Sequence, residues 1–188
     1  MTRRLLLVSG LLLCLLVVSV IAVSSSLRMQ FQPRGARLSP HETTSSVVDG
    51  AKITITYGRP LMRGRRIFGS LVPYDRVWMP GADEATIFET SAYLRVGNVL
   101  LPAGRYSLYA LPGETTWKLI INKMTGQWHT TYFDEDDLAR LDTTIERLPK
   151  PVEQLTIAAV AHGGGGGRLQ LEWETTRVYV PFTVKKDQ

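Results

Sequence analysis

From Ala51 to Val184, apolar residues return at every second position in short runs that glycine or proline closes. This alternation limits the possible folds more than any other feature. Ile53, Ile55 and Tyr57 alternate with Lys52, Thr54 and Thr56. Successive side chains of a strand point to opposite faces, so the spacing reads as a strand with one buried face. Pro60, which has no backbone donor, ends it. Ala85 to Thr90 reads as the next strand. Tyr93 to Val96 and Val99 to Leu101 then flank Gly97-Asn98, a two-residue hairpin loop of the glycine-first type.

The same pattern continues through Arg105–Leu111, Trp117–Asn122, Gln127–Phe133, Thr143–Leu148, Val152–Ala161, Arg168–Thr175 and Val178–Val184. Pro149-Lys150-Pro151 and the five glycines Gly163 to Gly167 are among the turns between them. Consecutive strands joined by short turns pair antiparallel. One helix candidate stands out, Asp134 to Leu141, where Asp134 would cap and the acids would face the positive end of the helix dipole. No segment is a helix long enough to cross over a parallel sheet. The expected fold is therefore all-β: a single antiparallel β-sandwich, jelly-roll-like, of about nine or ten strands with one short helix. A closed barrel is the competing geometry.

Ahead of this domain, Met1-Thr-Arg-Arg and the 19-residue apolar run from Leu5 to Val23 form a hydrophobic leader. A charged start and an apolar core are what export machinery reads. The run also approaches the roughly 20 residues that span a bilayer. A cleaved signal peptide and a retained membrane anchor over 1–23 both fit, and both place the domain outside the cytoplasm. Cys14, the single cysteine, lies in this run and follows Leu13 rather than the small residue of a lipidation signal. The mature domain accordingly has neither disulfides nor cysteine-bound zinc. Residues 24–50 read as a polar tether, 51–184 as the domain and 185–188 as a tail. With Arg3 and Arg4 set aside, the remainder carries 20 basic and 17 acidic groups, too mild a balance for a nucleic-acid partner.

Tyr57 to Thr86 concentrates the polar and aromatic residues. Arg59, Arg63, Arg65 and Arg66 fall within eight positions, followed by Trp78 and Asp83-Glu84. Guanidinium groups fork onto carboxylates, sulfates or phosphates, so these arginines are candidates for an anionic ligand. Charges that protect a sheet edge are the plainer explanation. Arg59, fixed between Gly58 and Pro60, is the strongest individual candidate. Of the four tryptophans, Trp117, Trp128 and Trp173 read as core. Trp78, in the loop region, is a candidate platform for a sugar face. Asp83 and Glu84 are candidate ligand contacts or acids of a hydrolase. Neighbours in an extended segment diverge, so they would not form a carboxylate pair unaided. A salt bridge to Arg59 is their structural alternative.

His41, His129 and His162 lack metal-ligand spacing, and the acids at 134–137 lack the glycine of a calcium loop. No metal site and no cofactor is expected, and no catalytic residue is assigned.

The order of motifs resembles the DUF2911 family of exported bacterial proteins of unknown function. It is carried by Tyr57-Gly58-Arg59-Pro60, Gly64-Arg65, Ile67-Phe68-Gly69, Val72-Pro73-Tyr74, Val77-Trp78, Gly81-Ala82 and Glu84-Ala85-Thr86. Leu101 to Leu108, Trp117, Asn122-Lys123 and Gln127-Trp128 continue it, over about 45–184. Met79 and Asp83 depart from the pattern, where relatives carry Arg and Asn. The resemblance implies an envelope-associated β-rich domain and brings no established activity. The function expected is a ligand-binding or envelope-associated module for a carbohydrate or small anion, with membrane contact through residues 5–23 if they are uncleaved. The alternatives are a cofactor-free hydrolase of envelope carbohydrate using Asp83 or Glu84, and a structural envelope protein with no ligand.

Overall fold

The alternation becomes ten strands within residues 39–185, the part of the chain that the computed structural model describes. They are β1 (His41–Val48), β2 (Ala51–Gly58), β3 (Ile87–Thr90), β4 (Leu94–Val96), β5 (Val99–Leu101), β6 (Gly104–Pro112), β7 (Trp117–Asn122), β8 (Asp137–Asp142), β9 (Thr144–His162) and β10 (Gly166–Val184). One sheet has the order β1-β2-β3-β6-β7-β8 and the other β5-β4-β10-β9, every pair antiparallel. Two separate open sheets make a sandwich and not a barrel.

The main core lies between the sheets. Ile53, Ile55, Tyr57, Phe88 and Leu108 from one meet Leu155, Ile157, Leu169, Leu171 and Val180 from the other. The buried Tyr57 hydroxyl accepts a hydrogen bond from the Ile157 backbone N–H at 2.8 Å and so ties β2 to β9. A second, smaller core lies on the outer face of the six-stranded sheet. There Ile87, Tyr109 and Ile120, which alternate with main-core positions, pack against Met79 and Ala85. The loop between β2 and β3 therefore serves both faces of one sheet.

Four local readings of the sequence are corrected. First, β1 begins at His41, inside the stretch read as a tether. Its polar side chains suit an edge strand, and its eight residues pair in register with β2. Second, Asp134 to Leu141 is not a helix. A 3-10 turn, Asp134–Asp136, has Phe133 at its cap with no side-chain capping bond, and β8 follows at once. Ala139 and Leu141 go inward at period two. Asp137, instead of serving a helix start, accepts bonds from Asn122 Nδ2 (2.9 Å), Tyr132 Oη (2.6 Å) and Arg140 Nε (2.7 Å).

Third, Gln127 to Phe133 is a loop touching the rest at an isolated Glu84–Trp128 bridge. Buried Gln127 donates to Ser107 Oγ and Tyr109 Oη, and Tyr109 donates to the Thr131 carbonyl, so side chains fix this loop in place of a ladder. Trp128 is consequently half exposed, not core. Fourth, Pro149-Lys150-Pro151 interrupts no strand. β9 is a sheet edge, where a missing N–H is tolerated, and residues 148–151 bulge opposite Thr175 alone.

The leader, Cys14 and most of the tail lie outside the described residues. Among the described residues no helix is long and apolar enough to cross a membrane.

Candidate functional site

The loop from Arg59 to Thr86 is held at several points before it presents any side chain. Arg59 Nε donates to the Leu155 carbonyl (3.0 Å) and Nη2 to Thr156 Oγ1 (2.9 Å), while Nη1 pairs with Glu42. Leu61 bridges to Gln154 of β9. Arg63 and Gly64 then have φ of 51° and 70°, and the Arg65 N–H returns to the Met62 carbonyl at 3.1 Å. Positive φ at both central residues is the type I′ turn. The Arg63 N–H is taken by Glu153 Oε1 at 2.8 Å, which anchors the turn to β9.

Ile67, Phe68 and Val72 peg the next segment into the main core. Phe68 meets Trp117 edge-on at 4.7 Å between ring centroids. Trp78 exchanges both backbone hydrogen bonds with Ala110, beside β6 where β3 has ended. Adjacent residues there face opposite ways. Trp78 turns toward the main core and stacks on Trp173 at 6.2 Å, and Met79 fills the outer core. The chain then passes so close to β2 that a Cβ on Gly58 would overlap the Ala82 carbonyl. Thr86 Oγ1 donates to the Pro80 carbonyl at 2.6 Å and closes this last bend.

These constraints enclose a cleft of about 440 Å3. Arg63 and Arg65 line it from the turn, Trp78 supplies aromatic surface with the buried Trp173 behind it, and Asp83 and His129 come from the two bridged loops. Arg65 is braced by the carbonyls of Met62 (Nε, 2.8 Å) and Leu61 (Nη2, 2.6 Å). The Arg63 guanidinium is exposed and makes no ion pair or side-chain hydrogen bond among the described residues. Asp83 has a left-handed φ of 69°, uncommon for a residue with a side chain. Its carbonyl accepts both the His129 N–H (3.0 Å) and His129 Nδ1 (2.8 Å). A carbonyl only accepts, so Nδ1 carries the proton.

Of the six residues singled out from the sequence, the fold brings Arg63, Arg65, Trp78 and Asp83 to one cleft. Arg59 and Glu84 are not among its lining residues. Arg59 is turned to β1 and β9, and its salt-bridge partner is Glu42 rather than Asp83 or Glu84. Glu84 lies 3.7 Å from His41 Nδ1. Asp83 and Glu84 do diverge, but through a positive-φ bend and not through strand alternation. His129, weighed in the sequence only as a metal or catalytic residue, joins those four as a lining residue. On the strand read over Gln127–Phe133 it would face away from Trp128, whereas the two rings sit 5.4 Å apart in the loop.

A family described as "Protein of unknown function (DUF2911)" matches residues 39–182. The chain belongs to the DUF2911 family. The match begins just ahead of β1 and ends within β10, so it takes in both sheets and the whole cleft. Among curated proteins and among solved structures no match to the chain is found.

Proposed function

We propose that this DUF2911 domain is an exported binding module whose cleft takes a small ligand bearing a carboxylate or a similar anion. The observation that carries the reading is the uncommitted Arg63 guanidinium, beside the braced Arg65, over a cleft surfaced by Trp78. A fork of N–H donors held ready loses less freedom on binding than a mobile one. The cleft volume falls in the range of about 300–1,000 Å3 common for small-molecule sites. Asp83 is the sole carboxylate among the lining residues, so a mechanism with two facing acids finds only one of them there. The charged start and long apolar run of the leader support export, and they support anchoring to the membrane if the segment is retained.

The test is a thermal-shift comparison of the full chain with acetate, sulfate and uronic acids, repeated on Arg63→Asn. Asparagine accepts the left-handed backbone at this position. At least one anion should raise the melting temperature of the wild type and leave the variant unmoved. Equal responses in both proteins, or none in either, would remove Arg63 from any binding role.

A further inference from the structure

The cleft offers acceptors as well as cations, and the acceptors narrow the chemistry of the ligand. Asp83 makes no side-chain hydrogen bond or ion pair among the described residues, and its Oδ2 is out of contact with solvent. An oxygen that water cannot touch is also beyond a ligand in the cleft. The acceptor that Asp83 can present there is its other carboxylate oxygen, Oδ1, and a donor on Oδ1 offsets part of the cost of the buried one. His129 lies against the same residue. Its Nδ1–H is spent on the Asp83 carbonyl, and in the tautomer that this bond selects Nε2 is an acceptor. The two hydrogen bonds from His129 also hold Asp83 in its left-handed conformation.

A compact anion such as sulfate could satisfy Arg63 and Arg65. It would bring no donor to Asp83 and would meet the negative charge of that residue inside one cleft. A neutral sugar would leave the guanidinium fork unused. We infer that the cleft is built for a sugar acid, whose carboxylate lies on Arg63 and Arg65 and whose hydroxyls donate to Asp83 and to His129 Nε2. The half-buried Trp78 offers a ring face for the sugar C–H surface. This inference rests on the anion-binding reading of the cleft and adds the second, accepting half of the site.

Calorimetric titration of the full chain with D-glucuronate, D-glucose, acetate and L-alanine tests it. Glucuronate should bind at least about tenfold more tightly than each of the others, the worth of one or two added charge-assisted hydrogen bonds. Asp83→Asn keeps a residue that tolerates the left-handed backbone. His129→Asn keeps an amide donor for the Asp83 carbonyl and removes Nε2. Each should weaken glucuronate about tenfold and neither should weaken acetate, which Asp83→Asn should bind somewhat more tightly because a negative charge has left the cleft. If either variant fails to fold, the other and the order of the four wild-type affinities still decide the matter.

Equal weakening of acetate and glucuronate by these variants, or no weakening of either, would overturn the inference. Tighter binding of alanine than of glucuronate would also overturn it, because the acceptors would then serve an ammonium group. A different pattern strikes the reading beneath. If acetate and glucuronate both fail to bind the wild type, or bind Arg63→Asn equally well, the cleft is no anion site at all.

Discussion

Arg59 and Arg63 stand four positions apart, yet their guanidinium groups have opposite surroundings. Arg59 spends three nitrogens on Glu42, Leu155 and Thr156, joining β1 to β9. Arg63 spends none of its side-chain nitrogens on the described residues. Arg59→Ala should therefore lower unfolding free energy by about 1–3 kcal/mol, since the Leu155 carbonyl and the Glu42 carboxylate lose a charged partner. Ligand affinity should change little once the variant is folded. Arg63→Asn should do the reverse, with stability within about 0.5 kcal/mol of wild type. Urea titration of both variants separates the two roles. The sequence shows that arginines are dense here. It does not show which are consumed, because the partners of Arg59 lie about a hundred positions away on β9 and seventeen away on β1.

At the level of elements, the cleft exists because a long loop is pulled against the end of β2. Gly58 permits that approach, since any side chain would strike the Ala82 carbonyl. Gly58→Ala should displace the bend at 80–83, cost about 1–3 kcal/mol as an overpacked site does, and weaken ligand binding at the same time. A melting curve and a binding isotherm on one preparation would show both losses; loss of stability without loss of binding would uncouple the bend from the site. Strands β2, β4 to β7 and the turn at Gly97-Asn98 were legible because one buried face imposes period two. The glycine turn was legible in place but is shorter than read, since Gly166 and Gly167 of β10 already pair with His162 and Ala161. The 127–133 loop and the 134–141 segment were not. Their conformations follow from Gln127, Tyr109 and Asp137, polar side chains whose partners are remote in sequence. The place of His129 in the cleft was not legible for the same reason, since it depends on the Asp83 carbonyl across a bridge that no local pattern announces.

For the whole molecule, two sheets share one core, and the tyrosines at and around it tie stability to alkaline pH. Burial pushes the phenols of Tyr57, Tyr106, Tyr109 and Tyr132 above their ordinary value of 10.0, and the Asp137 carboxylate adds to the effect at Tyr132. Raised folded-state values mean that the unfolded chain ionises first. Their contribution is fully present below about pH 10 and is lost as pH rises from there through the folded values. The urea midpoint should hold steady up to that region and then fall, and Tyr132→Phe should make the fall shallower. A midpoint that stays level into strong alkali would contradict this. The family match covers the same two sheets and carries no activity, so the account of function rests on the cleft. The most direct measurement is the NMR spectrum of the arginine Nε–H and indole N–H groups of the full chain during titration with glucuronate. The account predicts saturable shifts at Arg63, Arg65 and Trp78 while Arg59 stays fixed. Shifts confined to Arg59, or none at all four groups, would contradict it.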